Sequence, residues 1–154
     1  MEPLRAMANR EITKITLEGV PDRPGIAAEV FGALGQLGFN VELVVSTGGT
    51  HGTADISLAV VRSQEQKVLD ALESIRRDVG ARGLHRNSKV ALVSLLGHGL
   101  STEPGIAGRM FGALSRIGVN IEVISTSLSS VTCMIDERDC EPALEALRSE
   151  FHLP

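Results

Sequence analysis

The sequence has 154 residues, of which 43% are hydrophobic and 22% charged, and its formal net charge at pH 7 is −4. This length suits one ordinary domain or two small domains. The acidic balance and the scarcity of aromatic residues, four Phe with no Trp or Tyr, disfavour nucleic acids and anionic membranes as partners. No apolar segment approaches the length of a membrane span, and Cys133 and Cys140 have neither metal nor redox spacing. We therefore expect a cytoplasmic protein in a reducing compartment.

A repeat with one constant offset organises the chain. The segment Pro24-Gly25-Ile26-Ala27 returns as Pro104-Gly105-Ile106-Ala107, and Asn40 returns as Asn120. Over residues 24–44, 11 of 21 positions are identical to their counterparts in 104–124. A fixed internal period of this kind predicts two copies of one structural unit. Units this small would each be marginally stable alone, so we expect them to share an interface.

The first copy opens with a predicted strand over residues 13–17, where apolar and polar residues alternate. A helix is predicted after the Pro24-Gly25 turn, with Asp22 at capping distance and Gly38 at its end. Its apolar residues recur at steps of three and four and are expected to face one core: Ala27, Val30, Phe31, Leu34 and Leu37.

Four further elements complete the first copy. They are predicted as strands over 41–45 and 56–60, a helix over 68–79 and a short closing strand over 81–86. The glycine-rich loop 46–53 is expected to be mobile, and Ser63 with Gln66 forms a capping-box pattern before the second helix. The resulting order, β-α-β-β-α-β, is the ferredoxin-like arrangement.

The second copy repeats this order but stops before its sixth element. Its predicted elements are a strand over 90–96, a helix over 104–117, strands over 120–125 and 131–135, and a final helix from about Asp139. One edge of its sheet would then be bare, which folded proteins avoid. The unassigned residues 4–8 can fill that edge. We therefore expect residues 1–10 to complete the second unit (87–154), with the first unit (11–86) inserted between them.

Each Pro-Gly turn joins the end of a strand to the start of a helix. The free N–H groups of a first helical turn favour an anion such as a carboxylate, and Asp22 or Thr102 could hold an ammonium or hydroxyl group. The alternative is that Pro-Gly only starts a helix, and that Asn40 and Asn120 are ordinary turn residues.

No catalytic constellation is found. The four His residues have no partner at metal spacing, and the chain has no nucleophile motif and no phosphate-binding loop. We therefore expect no enzyme activity of its own, no metal and no cofactor.

Three segments resemble the paired ACT domains at the C-terminus of aspartate kinases. They are residues 22–27, the turn 38–42 and the segment 120–127, and the resemblance extends over residues 12–153. It implies an α+β fold of two ferredoxin-like ACT domains, with a crossing N-terminal strand. It also implies a regulatory module that binds threonine or lysine for feedback inhibition of amino-acid biosynthesis, forms a homodimer and acts on a catalytic aspartate kinase subunit.

The resemblance implies two equivalent ligand sites between the units. In one, Asp22, Gly25, Ile26 and Ala27 meet Asn120 and Ile121; in the other, Thr102, Gly105, Ile106 and Ala107 meet Asn40 and Val41. Ser46 replaces a ligand-contacting Gln of the family, and Leu128 replaces an acidic residue. Because lysine would lack that carboxylate, we expect threonine or a similarly small amino acid. The alternative is a structural or oligomerisation module that binds no ligand.

Overall fold

The computed structural model describes residues 4–48, 52–100 and 103–154. The chain divides into two compact units: the central unit, Glu11–Ser88, and the split unit, which joins Met1–Arg10 to Lys89–Pro154. Within the described residues, no helix is long and apolar enough to cross a membrane.

The helices and strands follow the predicted order in both units. The strands are β1 (Arg5–Asn9), β2 (Ile12–Pro21), β3 (Val41–Gly48), β4 (Thr53–Val61), β5 (Gly83–Asn87), β6 (Val90–Leu96), β7 (Val123–Thr126) and β8 (Ser130–Asp136). The helices are α1 (Ile26–Gln36), α2 (Glu65–Val79), α3 (Ile106–Arg116) and α4 (Cys140–Glu150).

Each unit contains an antiparallel four-stranded sheet. The strand order is β3-β4-β2-β5 in the central unit and β1-β6-β8-β7 in the split unit. Strand β1 pairs antiparallel with β6, with Arg5 opposite Leu96 and Asn9 opposite Leu92. This pairing confirms that the N-terminal strand completes the second sheet. The two units therefore form ferredoxin-like ACT domains in tandem.

The core of each unit lies between its sheet and its two helices. In the central unit it includes Ile15, Leu17, Val30, Leu34, Leu58, Val68 and Leu72. In the split unit it includes Val93, Leu95, Met110, Leu114, Cys133, Ile135 and Leu147. The strand residues alternate along each strand, which places them on one face of the sheet, as a side-chain period of two requires. Ala6 and Ala8 of β1 pack against the core of the split unit, so this strand adds apolar contacts as well as hydrogen bonds.

Helix α1 differs from its prediction at both ends. It begins at Ile26, and its N-cap is Gly25 with no side-chain hydrogen bond, so the predicted cap by Asp22 is wrong. Residues Ile26, Val30 and Leu34 are buried, whereas Ala27 and Leu37 are exposed. Leu37 points away from the core because the chain turns at the next residue, and Phe39 packs against the core instead.

Three further local predictions are corrected. A 3₁₀ turn at Arg62–Gln64 precedes α2. The N-cap residue of α2 is Gln64, whose side chain makes no capping hydrogen bond, so the predicted capping box of Ser63 and Gln66 is not formed. Gln66 Nε2 instead donates to Asp70 Oδ1 at 2.9 Å. Ser46 lies in β3 rather than in a loop, and residues 49–51 of the predicted loop lie outside the described residues. The seventh strand begins at Val123, after Asn120 and Ile121.

Candidate functional site

Both Pro-Gly turns place a glycine at the start of a helix in the left-handed conformation. Gly25 has φ 89° before α1, and Gly105 has φ 84° before α3. A residue with a Cβ would be strained at such angles, which explains glycine at both places. Gly25 and Gly105 are exposed, so the first-turn N–H groups of each helix are reachable from solvent.

A cavity of about 330 Å³ lies in the split unit, between the start of α3 and the end of β7. It is lined by Leu100, Glu103, Gly105, Ile106, Ala107, Gly108, Thr126, Ser127 and Val131. Three of these residues, Gly105, Ile106 and Ala107, are among the predicted ligand contacts. Thr102, predicted with them, lies outside the described residues. The cavity volume suits a small ligand, since pockets for small molecules begin at roughly 300 Å³.

The cavity offers polar groups of two kinds. The backbone N–H of Arg109 donates to the carbonyl oxygen of Gly105 at 2.9 Å, but the N–H groups of Ala107 and Gly108 have no acceptor among the described residues. They give this end of the cavity a partial positive charge. Hydroxyl groups come from Thr126 and Ser127. Together these groups can bind a small anion that also carries a hydrogen-bonding side chain.

The turn between β7 and β8, next to the cavity, is stabilised by hydrogen bonds among its own serine residues. The N–H of Ser127 donates to the carbonyl oxygen of Ser130 at 2.9 Å, and the hydroxyl oxygens of the same two residues are 2.8 Å apart. The N–H of Ser129 donates to Ser127 Oγ at 3.3 Å. Leu128, at the tip, is 78% exposed. These bonds position the Ser127 hydroxyl at the cavity wall.

Six lining residues were not among the predicted ligand contacts: Leu100, Glu103, Gly108, Thr126, Ser127 and Val131. The repeat itself held the signal for one of them. Thr126 is the counterpart in the second copy of Ser46, which the prediction did include. Glu103 is the counterpart of Arg23, and this change of charge concealed its relation to the first copy.

The predicted residues of the central unit lie around the start of α1 and along β3. Gly25, Ile26 and Ala27 form the start of the helix, and Ile26 is buried within the core. Asp22 is exposed, and its N–H donates to the carbonyl oxygen of Gly52 at 2.8 Å. Val41 packs against the core, while Asn40 and Ser46 are exposed.

In the split unit, Asn120 is exposed and Ile121 packs against the core. Each predicted site combines a helix start from one unit with Asn and an apolar neighbour from the other. The pairing of Asn40 and Val41 with α3, and of Asn120 and Ile121 with α1, stays a prediction.

A second groove, of about 370 Å³, lies between α1 and α2 in the central unit. It is lined by Ala28, Glu29, Gly32, Ala33, Gln36, Ile75, Asp78 and Val79, none of which is a predicted site residue. The cavity at α3 therefore carries the stronger case for a ligand.

The two thiols of the chain are buried and are not bonded to each other. Cys133 and Cys140 are both free. Burial raises the pKa of the Cys133 thiol to about 12, so it stays protonated at neutral pH. Over the described ranges, no group of three or more His, Cys, Asp or Glu residues could hold a metal ion.

Comparison with known proteins supports this description. ACT-domain family models match residues 15–77 and 93–151. The solved regulatory subunit of aspartate kinase from Thermus thermophilus, in its ligand-free form, is 32% identical, with a TM-score of 0.89 and coverage of 95% of this chain and 96% of that one. The chain belongs to the paired ACT domains of aspartate kinases.

Other aspartate kinases agree with this assignment. The structure of aspartokinase alpha and beta subunits is 31% identical, with a TM-score of 0.89, and covers 96% of this chain and 97% of that one. Aspartate kinase of Pseudomonas putida is 35% identical over 145 residues, covering 94% of this chain but 35% of the relative. This ACT pair thus spans about a third of the length of the curated relatives that it matches, and it is a module of the regulatory type.

Proposed function

We propose that this ACT pair senses a free amino acid and, when the ligand binds, shifts a catalytic aspartate kinase towards its inhibited state. The observation that carries this proposal is the cavity at the start of α3, which is lined by residues of the first helical turn, whose N–H groups have no acceptors among the described residues, and by Thr126 and Ser127. Regulation then follows from linkage, because a ligand that binds one arrangement of the module more tightly increases its population. The proposal includes feedback control of amino-acid biosynthesis in the cytoplasm, where the two free thiols stay reduced.

The chemistry of the cavity suits a small amino acid. The N–H groups of Ala107 and Gly108 can take the α-carboxylate, and the Thr126 and Ser127 hydroxyls can bond a polar side chain. Of the described lining residues, Glu103 alone carries a charge. A lysine would bring two cationic groups to this single carboxylate, and desolvating the second would cost on the order of 2 kcal/mol or more. Threonine is therefore the proposed ligand, ahead of lysine.

The family resemblance extends the proposal to a second site at the start of α1. There Asp22, Gly25, Ile26 and Ala27 would act together with Asn120 and Ile121, and with Ser46 of β3, the counterpart of Thr126. Asn40 and Val41 would act in the same way with the α3 site. Asp22→Ala should weaken ligand binding at the α1 site by roughly 1–3 kcal/mol through loss of a charge-assisted hydrogen bond.

Calorimetric titration of the full chain with the twenty amino acids tests the sensor. Threonine or a similarly small amino acid should bind more tightly than lysine. If no amino acid gives heat or a thermal shift, the chain is not a sensor.

A second candidate function, oligomerisation, is favoured by the pattern of exposed apolar residues. Val44 on β3 and Ile124 on β7 are 46% and 51% exposed, and they stand at equivalent places in the repeat. Both strands lie at the edge of their sheets. Exposed apolar edges tend to pair with another chain, so we propose a homodimer formed through them. Sedimentation of Val44→Lys and Ile124→Lys should show smaller species than the wild type, with Lys67→Glu on α2 as a charge-change control.

A further inference from the structure

The groove between α1 and α2 in the central unit has a counterpart between α3 and α4 in the split unit. Helix α3 repeats α1, and residues 143–151 repeat residues 71–79, with four of the nine positions identical. In this alignment Leu144 of α4 corresponds to Leu72 of α2, and both side chains are buried. The two helix pairs can therefore be compared residue by residue.

In the split unit, two arginines of α3 bind a carboxylate of α4. Arg109 donates from Nε to Glu150 Oε1 at 3.1 Å, and Arg116 donates from Nη2 to Glu150 Oε2 at 3.0 Å. The Arg109 guanidinium carbon lies 4.5 Å from the centre of the Phe151 ring. Arg116 Nη1 lies 3.5 Å from the point where a Cβ on Gly112 would stand. A glycine on the surface of α3 thus leaves room for a guanidinium group, whose hydrogen bonds the carboxylate accepts.

The central unit keeps the glycine and the carboxylate, but its helix α1 carries neither arginine. Gly32 and Asp78 correspond to the glycine and the carboxylate, whereas Glu29 and Gln36 correspond to the two arginines. Val79 corresponds to the phenylalanine. The result is the groove of about 370 Å³, and none of its described lining residues is cationic. The central unit therefore has the acceptor and the space for a guanidinium group without supplying the group itself.

The side of α1 that borders the groove is made of small residues. Ala28, Gly32 and Gly35 are exposed on successive turns. No side chain of the described residues lies within 4 Å of a Cβ built on either glycine, so packing within the chain does not require glycine at these positions. Glycine weakens a helix relative to alanine, but it allows another backbone to approach closely. A strip of small residues along a groove between two helices fits a third helix.

We propose that this groove docks a helix of a partner protein, and that an arginine on that helix binds where Arg116 binds in the split unit. Its guanidinium group lies over Gly32 and donates to the Asp78 carboxylate. The split unit has this arrangement within its own chain, at Gly112 and Glu150. Arginine suits the groove better than lysine, because a planar guanidinium can lie on an apolar surface while it donates to both oxygens of a carboxylate. This docking surface is distinct from the cavity at α3 and does not depend on the proposed sensing function.

The test is an NMR titration of the isotope-labelled whole chain, followed through the backbone amide signals of Gly32 and Asp78. The probe is an alanine- and glutamine-rich helical peptide with one central arginine, and its twin carries citrulline, which has nearly the same shape without the charge. Gln36→Arg rebuilds an arginine of the split unit and should fill the groove. Gln66→Arg makes the same change at an exposed position of α2 that does not line the groove.

The arginine peptide should give saturable shifts in the wild type and in Gln66→Arg. Its affinity for Gln36→Arg should be about 10-fold lower, and the citrulline peptide should bind the wild type about 10-fold more weakly than the arginine peptide. The absence of a saturable shift in the wild type, or an undiminished affinity of Gln36→Arg, would overturn the proposal.

Three further outcomes would assign the groove to a different occupant. Equal binding of the two peptides would make it an apolar surface and refute the role of arginine. Free L-arginine that binds as tightly as the arginine peptide would make it a site for a small molecule and not for a protein. Shifts of the same signals when the chain alone is concentrated would show that a second copy occupies the groove, which contradicts a separate partner.

Discussion

Thr16 and Ser57 form a hydroxyl pair across neighbouring strands of the central unit, with Thr16 Oγ1 2.9 Å from Ser57 Oγ. The two residues are directly opposite each other in the β2–β4 ladder. The split unit contains a similar pair, Ser94 and Thr132, at 2.7 Å between β6 and β8. Each pair satisfies two partly buried hydroxyls on the central strands of its sheet.

Thr13, on the same strand as Thr16, lacks such a partner. It is fully buried, and its Oγ1 has no hydrogen-bond partner among the residues that the structure describes. Thr13→Val removes an unsatisfied hydroxyl and keeps the shape of the side chain, so the free energy of unfolding should rise by about 1 kcal/mol. Thr16→Val is the matched control: it breaks the bond to Ser57 and should lower the free energy of unfolding by about 1 kcal/mol. Urea unfolding measures both, and a destabilised Thr13→Val would contradict the prediction.

Gly25 and Gly32 should respond in opposite directions to substitution by alanine. At Gly25, φ 89° is strained for any residue with a Cβ, and Gly25→Ala should cost about 1 kcal/mol of stability. Gly32 lies within α1 with open space around its Cβ position, so Gly32→Ala should stabilise by up to about 1 kcal/mol through helix propensity. Thermal unfolding of the two variants side by side gives the comparison. Equal shifts of the same sign would show that the helix begins elsewhere.

Deletion of residues 1–10 should destabilise the split unit, although the segment reads as an ordinary N-terminal tail. Its loss exposes the edge of β6, removes the contacts of Ala6 and Ala8 with the core, and breaks the 2.6 Å ion pair between Arg10 and Glu141. We expect a lower melting temperature and more aggregation. Met7→Lys, at an outward-facing position that is 48% exposed, should leave both unchanged. An unaltered melting temperature in the truncated protein would refute the role of β1.

The buried Cys133 thiol makes stability depend on pH in the alkaline range. Its pKa is raised from 9.0 to about 12 in the folded protein, so between these values the folded state holds a proton that the unfolded state releases. This contribution is fully present below pH 9 and is lost as the pH rises, by at most about 1.4 kcal/mol per pH unit. From pH 9 to 11 the free energy of unfolding of the wild type should therefore fall relative to that of Cys133→Val. A constant difference over this range would show that the thiol is exposed to solvent.

Local patterns determined the order of the elements and located each helix start to within about three residues, although not its capping residue. Strand alternation and helical spacing are properties of neighbouring residues, so they can be recognised along the chain. The repeat supported both helix starts, because the Pro-Gly sequence at Gly25 recurs at Gly105. Even the pairing of β1 followed, because an ACT unit without its sixth element leaves a bare sheet edge.

Packing between distant segments decided the rest. Whether Ala27 or Ile26 faces the core depends on how α1 sits on its sheet, which a helical period does not specify. The cavity likewise is lined by residues that are far apart in the chain. Glu103 precedes α3, whereas Thr126 and Ser127 lie at the end of β7, which follows that helix. Arg109 likewise contacts Glu150 and Phe151 at the C-terminal end of α4, far along the chain from α3. The sequence by itself determined the repeat, the order of the elements and the Pro-Gly turns at two helix starts; the tertiary structure decided which residues line one cavity, because only folding brings separate segments into contact.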